Sequence, residues 1–343
     1  MAGDRASRDK RRDPAFAAKS LFAGGVAGCA AKTLVAPMDR VKILFQTSNP
    51  DYKRFSGDLL GVFRAQSHIL HNVGIRGLFQ GHSMQLARVF PYGAINFMAY
   101  EQFRNLLAGQ GGVVSSPMYH HWVAGAMSGI ISTAIAYPLE LIRVRMAFDT
   151  RNGNHGVMDM IRQMAKEQPV YGKAGGTVAT LSNFYRGCWI ALLGIVPYAG
   201  FSFYINALAK KVCHGSLAPW CEVDYTPNSK LTAQEATNVA GGAESPRKLK
   251  GWATWLCGGV AGVVAQTLSY PIEIVRRRMQ VAGLLLAGKR VSSMDIARHI
   301  FRESGPRGFF VGLSIGYLKM VPMKATSFYV YDVTMNAMNA NGL

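Results

Sequence analysis

Acidic residues are scarce in this chain: its 343 residues include 19 Asp and Glu against 38 Lys and Arg, for a formal net charge of +19. Its cysteines form no C-x-x-C pair, and no histidine cluster has the spacing of metal ligands. These absences argue against a metal centre and a disulfide framework. We therefore expect no metal and no cofactor, with most cysteines acting as small packing residues. The five cysteines are Cys29, Cys188, Cys213, Cys221 and Cys257.

Enzyme motifs are missing as well. Ala31-Lys32-Thr33 faintly resembles a phosphate-binding loop, but the glycine before the lysine is absent and no predicted strand precedes it. No catalytic triad or paired-carboxylate site emerges, so we do not expect an enzyme. A basic nucleic-acid-binding helical protein is an alternative of a different class, but no recognised module or basic-aromatic face occurs, and we expect no nucleic-acid partner. The charge suits anionic lipid or a transported anion.

A proline motif occurs three times, with an acidic residue two places and a basic residue five places after the proline. The copies are Pro37-Met38-Asp39-Arg40-Val41-Lys42, Pro138-Leu139-Glu140-Leu141-Ile142-Arg143 and Pro271-Ile272-Glu273-Ile274-Val275-Arg276. Glycines precede each proline by thirteen and nine places, at Gly24 and Gly28, Gly125 and Gly129, and Gly258 and Gly262. An aromatic-x-Gly element ends at Gly81, Gly187 and Gly312, and a second proline follows ten places later, at Pro91, Pro197 and Pro322. This register predicts a threefold internal repeat.

Each repeat contains two long segments that are predicted to be helices. They cover about 20–46, 82–107, 121–147, 188–211, 251–280 and 313–338, and each approaches the ~20 residues that span a bilayer. The mean hydropathy is only +0.10, and charges such as Lys32 fall within the segments. Both observations fit an all-α membrane protein in which six kinked transmembrane helices surround a water-filled central cavity, packed through glycines and other small residues. A soluble helical bundle is the alternative.

Shorter features divide the chain further. Amphipathic segments at about 57–70, 157–166 and 292–302 are predicted to lie on the membrane surface. We predict a disordered tail over residues 1–19, repeats over 20–110, 119–212 and 250–338, and a polar linker over 213–249 that is disordered. A divergent loop is expected near Gln168-Pro169 and Gly175-Gly176. The tail mixes acidic and basic residues, unlike a cleavable transit peptide.

The three motifs in register resemble the signature of the mitochondrial carrier family, P-x-[DE]-x-x-[KR] followed by an aromatic-x-Gly element. The resemblance covers nearly all of residues 20–338. It implies a three-repeat, six-helix transporter of the mitochondrial inner membrane, with surface helices in the matrix and both termini in the intermembrane space. It also implies a functional monomer, contact with inner-membrane lipid such as cardiolipin, and antiport. Within the family, residues 32–46, 142–148 and 308–317 are most similar to the coenzyme A carriers of fungi and their animal relatives.

The motif charges are predicted to form a gate. A proline within a helix removes a backbone hydrogen bond and kinks the helix, so Pro37, Pro138 and Pro271 are expected to bring these charges together. The resemblance implies a matrix gate of Asp39 with Arg143, Glu140 with Arg276 and Glu273 with Lys42, braced by Gln46 and Gln280, with Ala147 at the third bracing position. Desolvation nearly cancels the attraction in such pairs, so they can break at modest cost. Static ion pairs are the alternative, and threefold repetition favours a gate.

The resemblance also implies a cytoplasmic gate of the form aromatic-[DE]-x-x-[KR] on the second helix of each repeat. The residues at these positions are Tyr100, Glu101 and Arg104, then Asn206, Ala207 and Lys210, then Tyr331, Asp332 and Met335. Pairing around the ring would join Glu101 with Lys210 and Asp332 with Arg104. It would also leave Ala207 opposite Met335, so both halves of one pair are missing together. This gate is therefore expected to be weaker than the matrix gate.

Substrate contacts are predicted three places before the second proline of each repeat, at Arg88, Gly194 and Lys319. An intramembrane cation is costly unless it faces water or an anion, so the two cations are ligand candidates. The family's geometry places Lys32 in the same cavity. In family members that carry adenine nucleotides, the pair matching Gly194-Ile195 accommodates the adenine ring. Coenzyme A, with an adenine, several phosphates and a long pantetheine arm, fits this set.

We therefore expect transport of coenzyme A, or of a close adenine-nucleotide derivative, between cytosol and matrix by alternating access. An exchanger of ATP and ADP is the nearest alternative, because it would share every gate residue. The ADP/ATP carriers have the sequence Arg-Arg-Arg-Met-Met-Met, and its absence here counts against this alternative. In this chain Arg276-Arg277-Arg278 continues as Met279-Gln280.

A weaker cytoplasmic gate predicts that the empty carrier rests open towards the cytosol. Cross-linking across each end of the helix bundle in reconstituted protein should then give more product at the matrix end, because that end is closed. More product at the cytoplasmic end would contradict the weak-gate hypothesis.

Overall fold

The protein is described by a computed structural model over residues 14–57, 59–109, 117–150, 156–167, 177–215, 217–221, 249–285 and 291–340. In these ranges every regular element is a helix, which confirms the predicted all-α class. The helices are α1 (Pro14–Gln46), α2 (Leu59–Val73), α3 (Ile75–Leu78), α4 (His82–Gly109), α5 (Pro117–Phe148), α6 (Val157–Lys166), α7 (Thr177–Asn183), α8 (Cys188–His214), α9 (Ala218–Cys221), α10 (Gly251–Leu285), α11 (Ser293–Ser304), α12 (Leu313–Leu318) and α13 (Met320–Ala340). Short 3-10 helices cover Lys53–Phe55 and Pro306–Phe310.

The long helices continue through their motif prolines. Pro37, Pro138 and Pro271 lie inside α1, α5 and α10. The last predicted long segment instead divides into α12 and α13, with Lys319 between them. Pro322 has no N–H to donate to the carbonyl of Leu318, which weakens the helix at this point.

Two boundaries differ from the sequence predictions. α1 begins at Pro14, so residues 14–19 are helical rather than part of a disordered tail. Proline is well suited to the first turn of a helix, because its missing N–H would have no helical partner there. The predicted linker also begins with structure, since α8 extends to His214 and α9 covers Ala218–Cys221. Residues 222–248 of that linker, the divergent loop and the first thirteen residues lie outside the described ranges.

The chain divides into two compact units. Unit 1 comprises Met1–Ile95, Thr133–Ile190 and Ile274–Leu343, and unit 2 comprises Asn96–Ser132 and Ala191–Glu273. In unit 1, α1 packs along α13, so the first and the last long helices are neighbours. The end of α1 and α2 share an apolar core that includes Leu44, Tyr52, Val62, Ile69 and Ile315.

Small residues form a buried stripe at four-residue spacing on each helix that contains a motif proline. The stripes are Ala23, Ala27, Ala31 and Val35 in α1, Ala124, Ser128, Ser132 and Ala136 in α5, and Cys257, Ala261, Ala265 and Ser269 in α10. All three occupy the same positions relative to their proline, so the threefold repeat extends to helix packing. The motif glycines stand one place later, and a methyl group at Gly24, Gly125 or Gly258 would meet nothing within 4 Å.

In the part of the chain that the structure describes, three helical stretches are long and apolar enough to cross a membrane: Lys19–Gln46, Val123–Phe148 and Cys188–His214. Large apolar side chains are exposed on the long helices, including Trp189, Trp255 and Val321, each more than 70% exposed. Water would be an unfavourable solvent for so much apolar surface, whereas lipid chains would accommodate it.

The glycines of the aromatic-x-Gly elements have nearly identical φ angles. The φ angles of Gly81, Gly187 and Gly312 are +81°, +81° and +79°, at the start of α4, α8 and α12. Side chains disfavour this left-handed conformation, so glycine is the residue that can begin each of these helices. At Gly81 a Cβ atom would also lie 2.7 Å from the carbonyl oxygen of Arg143.

Gly81→Ala should therefore destabilise the protein more than Gly24→Ala. Gly24 is a helical glycine with open space around the added Cβ, so its substitution carries neither a backbone cost nor a clash. Gly81→Ala carries the cost of a positive φ angle and a clash with backbone, and should cost about 2–4 kcal/mol in total. Thermal unfolding of both variants in detergent measures the difference, and equal Tm values would contradict the close approach at Gly81.

Candidate functional site

Asp39 forms the first centre of the site, two residues after Pro37 on α1. Its carboxylate is buried and receives Lys319 Nζ at 2.6 Å on Oδ1 and Arg143 Nη2 at 3.0 Å on Oδ2. Gln85 Nε2 donates to the same Oδ2 at 3.3 Å. A buried carboxylate of this kind is stable only with such partners.

Glu140 forms the second centre, on α5. Its Oε1 lies 2.5 Å from Arg276 Nη2 and 3.0 Å from Arg277 Nη1, and its Oε2 lies 2.7 Å from Arg88 Nη1. The Glu140 side chain is 5% exposed, against 15–28% for the three arginines. One carboxylate is therefore shared by three guanidinium groups.

We call Asp39, Glu140 and their five cationic partners the gate cluster. Two carboxylates face five cations, so this group of side chains carries a net positive charge. The unbalanced charge favours the approach of an anion, most strongly where the dielectric constant is low. All seven residues belong to unit 1.

The structure brings together two of the three pairs expected for the matrix gate, Asp39 with Arg143 and Glu140 with Arg276. Glu273 belongs to unit 2 and Lys42 to unit 1. The pairing of these two residues stays a prediction.

The predicted bracing residue Gln280 contacts the gate cluster. Its Oε1 accepts a hydrogen bond from Arg277 at 2.9 Å, and its Nε2 donates to the hydroxyl of Tyr137 at 3.1 Å. That hydroxyl donates to the carbonyl of Arg186 at 2.8 Å, next to Gly187. Gln280 thereby links the gate cluster to the turn that begins α8. Gln46 is also fully buried, at the end of α1.

The two cations predicted as substrate ligands hold gate carboxylates in this structure. Arg88 contacts Glu140 and Lys319 contacts Asp39. The sequence did not reveal this double role, because the contacts join residues far apart in the chain. Lys32, the third predicted ligand, does not bind a gate carboxylate. Its one hydrogen-bond acceptor among the described residues is the thioether of Met323, a weak acceptor that lies 3.6 Å from Nζ.

Gly194 and Ile195 lie on α8 in unit 2, and both are partly exposed. A Cβ atom at Gly194 would lie 3.3 Å from Ile272 Cγ2, so a larger residue would fill this space. Ile195 Cγ2 would lie 3.9 Å from a Cβ atom at Gly129 on α5. The surface around Gly194 is therefore narrow and apolar.

The expected cytoplasmic pair of Glu101 with Lys210 is not formed among the described residues. Glu101 instead lies 3.7 Å from Arg104, and both side chains are about half exposed. Residues three apart are neighbours on a helix surface, which explains why this local contact is preferred. The Tyr331 hydroxyl lies 3.0 Å from Ser20 Oγ, while Asp332 and Lys210 are exposed.

Sequence reasoning missed an ion pair of Arg145, which stands two residues after Arg143 on α5. Arg145 is fully buried and binds Glu167 through two hydrogen bonds of 2.5 and 3.0 Å, while its Nε donates to the carbonyl of Gln280 at 3.0 Å. Such a bidentate pair fixes geometry as well as charge. Glu167 thereby ties the end of α6 to α5, and Arg145 ties α5 to α10.

A related pair occurs in the third repeat. Arg145 stands seven places after Pro138, and Arg278 has the same position after Pro271. Arg278 Nη1 lies 3.5 Å from Glu303, which also receives Lys53 Nζ at 2.5 Å. The hydrogen bond from Lys53 lowers the pKa of Glu303, so this carboxylate stays charged at neutral pH. In the sequence, these two ion pairs were indicated by a basic residue seven places after the motif proline in two of the three repeats.

Comparison with known proteins identifies the family. The family model described as mitochondrial carrier protein matches three times, over residues 13–111, 114–217 and 247–342. The chain therefore belongs to the mitochondrial carrier family, and the resemblance drawn from the proline motifs is confirmed. Members of this family are transporters of the mitochondrial inner membrane.

Individual relatives extend over most of the chain. It is 42% identical to mitochondrial carrier protein LEU5 of Saccharomyces cerevisiae, over 92% of this chain and 89% of the relative. It is 36% identical to solute carrier family 25 member 16 of Homo sapiens, over 94% of this chain and 89% of the relative. It is 35% identical to mitochondrial carrier protein CoAc2 of Zea mays, over 92% of this chain and 85% of the relative.

Glu140→Gln should destabilise the protein strongly, because three arginines would lose the charge that neutralises them. The expected loss is about 3–5 kcal/mol, as for other buried ion pairs that lose one partner. Glu101→Gln is the matched control, since the exposed Glu101 contacts one arginine at 3.7 Å and should cost less than about 1 kcal/mol. Thermal unfolding in detergent compares the two, and similar Tm values would contradict the central position of Glu140.

Proposed function

We propose that this carrier transports coenzyme A, or a closely related adenine-nucleotide derivative, between cytosol and matrix by alternating access. The observation that carries the proposal is the excess of cations over acids in the gate cluster, next to Lys32, whose one hydrogen-bond acceptor among the described residues is a thioether. A substrate with several phosphates would supply the missing negative charge. Lys32, Arg88 and Lys319 are the proposed phosphate ligands.

Competition for these cations links binding to gating in the proposal. Arg88 and Lys319 contact Glu140 and Asp39 at 2.7 and 2.6 Å, so a phosphate that binds them competes with both carboxylates. Each gate acid then keeps fewer cationic partners, and the contacts that close the matrix end weaken. A substrate can shift the conformational equilibrium only through such a difference in interaction between the two states.

The adenine ring is proposed to bind at Gly194 and Ile195. Support comes from the position of Gly194 in the second repeat. It stands three places before the second proline, as Arg88 does in the first repeat and Lys319 does in the third. Further support comes from the apolar surroundings of Gly194, where an added Cβ atom would lie 3.3 Å from Ile272 Cγ2, closer than an ordinary van der Waals contact. A face of the flat ring can pack against such a surface, while the ring nitrogens and the amino group at its edge stay in contact with water or polar groups.

We also infer that all six long segments span the membrane and line a central cavity. Three stretches, in α1, α5 and α8, meet the length and apolarity expected of a span. In the repeat, α10 is equivalent to α1 and α5, while α4 and the pair α12 and α13 are equivalent to α8. Equivalent helices are expected to have equivalent environments, so the remaining three also cross the bilayer.

The remaining parts of the topology follow from the family. The proposal places α2, α6 and α11 on the matrix surface and both termini in the intermembrane space, with cardiolipin among the contacting lipids. The three repeats on one chain support a monomer as the functional unit. In this arrangement Glu101, Arg104, Lys210 and Asp332 are the charged residues of the cytoplasmic gate, flanked by Tyr100 and Tyr331.

Exchange of ATP and ADP is the alternative substrate assignment. It would use the same gate residues and the same cations, so the gate cluster does not distinguish it from coenzyme A transport. Coenzyme A has a pantetheine arm that ATP and ADP lack. A transport measurement with each compound therefore distinguishes the two assignments.

Liposomes that contain the purified chain should take up labelled coenzyme A in preference to ATP and ADP. Lys319→Ala should reduce this uptake about tenfold or more, since a charged hydrogen bond to substrate is worth about 1.5–3 kcal/mol. Lys166→Ala, in an exposed lysine of α6, is the control and should leave uptake unchanged. A Tm measurement on Lys319→Ala separates lost binding from lost folding. Uptake of ATP or ADP alone would overturn the coenzyme A assignment and leave the carrier family intact.

A further inference from the structure

Three of the five cysteines meet in unit 2. Cys213 lies in the last turn of α8, Cys221 ends α9, and Cys257 lies in the second turn of α10. The Sγ atoms of Cys213 and Cys257 are 3.5 Å apart, and Cys221 makes a hydrogen bond with the Cys213 thiol. Cys221 and Cys257 are buried, whereas Cys213 is partly exposed. We call these three residues the thiol cluster.

The backbone around the thiol cluster holds the three helices in register. The N–H of Leu217 donates to the carbonyl of Val212 at 3.3 Å, which turns the chain back after α8. The N–H of Lys250 donates to the carbonyl of Cys221 at 2.7 Å, which attaches α9 to the start of α10. The cysteines are therefore neighbours because of main-chain contacts that do not involve their side chains.

Packing alone does not account for a thiol at position 257. Cys257 occupies the place in the small-residue stripe of α10 that Ala23 and Ala124 occupy in α1 and α5, and all three are buried. A methyl group is therefore sufficient at this position of the repeat. The third repeat has a thiol instead, and a second thiol faces it from α8.

We propose that Cys213 and Cys257 are a redox modification site that forms a reversible disulfide between repeats 2 and 3. The sulfur atoms, 3.5 Å apart, need to approach by about 1.5 Å to reach the bonding distance of about 2.05 Å. The matched repeats end and begin at residues 217 and 247, so the bond would join helices of different repeats. Such a bond would restrain the ends of α8 and α10 against each other.

The oxidant in the proposal is a low-molecular-weight disulfide of the glutathione class. The thiolate of Cys213, the more exposed thiol, attacks one sulfur of the oxidant, forms a mixed disulfide and releases one thiol. The thiolate of Cys257 then attacks the Cys213 sulfur and releases the second thiol. Two protein thiols are oxidised and one small disulfide is reduced, with both protons carried by the released thiols.

The effect of this bond on transport rests on the proposed function. Alternating access requires the repeats to move relative to one another, and a covalent link between two of them opposes that movement. The oxidised carrier should therefore transport more slowly than the reduced one. The formation of the disulfide itself depends only on the thiol cluster.

The test uses the full chain, purified and reconstituted in liposomes, in buffers with increasing ratios of oxidised to reduced glutathione. After acid quenching, free thiols are alkylated in denaturant and the cross-linked peptides are mapped by mass spectrometry. Cys213 and Cys257 should lose alkylation together and yield one linked peptide, whereas Cys29 and Cys188 should remain alkylated. Cys257→Ala should abolish this peptide, and Cys188→Ala, in a buried cysteine outside the cluster, should not.

Uptake measured on the same liposomes should fall about tenfold on oxidation, a size typical of coupling between sites. It should recover with dithiothreitol and stay constant in Cys257→Ala. Glutathione bound to Cys213 with Cys257 still free, or a link between Cys213 and Cys221, would overturn the proposal. Because thiol mapping requires no substrate, absence of coenzyme A uptake would contradict the proposed function without affecting this result. A linked peptide with unchanged uptake would overturn the effect on transport.

Discussion

The charge balance around Asp39 and Glu140 is the constraint on which the rest of the structure depends. Five cationic side chains, from α4, α5, α10 and the junction of α12 and α13, converge on these two buried carboxylates of α1 and α5. In an environment of low dielectric constant, neither the acids nor the cations would be stable alone. The helices therefore converge here, and the arrangement remains sensitive to any added anion, because the cations outnumber the acids.

Asp39 and Glu140 occupy equivalent positions in two repeats, but their cationic partners differ. Asp39 holds a lysine and one arginine, whereas Glu140 holds three arginines. Guanidinium groups can share a carboxylate through several N–H donors, while an ammonium acts as a point charge. The two centres are therefore chemically different, although they occupy equivalent positions.

Small residues make the convergence possible. The buried alanines, serines and Cys257 on α1, α5 and α10 are narrow enough for close helix packing, and the glycines at the start of α4, α8 and α12 adopt φ angles that other residues disfavour. At Cys257 the packing position also carries a reactive group. One position thereby contributes to helix packing and to the proposed redox site.

The sequence by itself determined the threefold repeat, the helices and their boundaries to within a few residues, and the family, because proline, glycine and charge recur at constant spacing. It also indicated Asp39, Glu140, Arg143 and Arg276 as gate residues, since these stand in the motif itself. Only the tertiary structure decided which side chains share a carboxylate. The contacts of Arg88, Arg277 and Lys319 with the gate acids, and of Cys213 with Cys257, join residues distant in the chain. Long-range contacts of this kind depend on helix packing and side-chain reach, and no local periodicity encodes them.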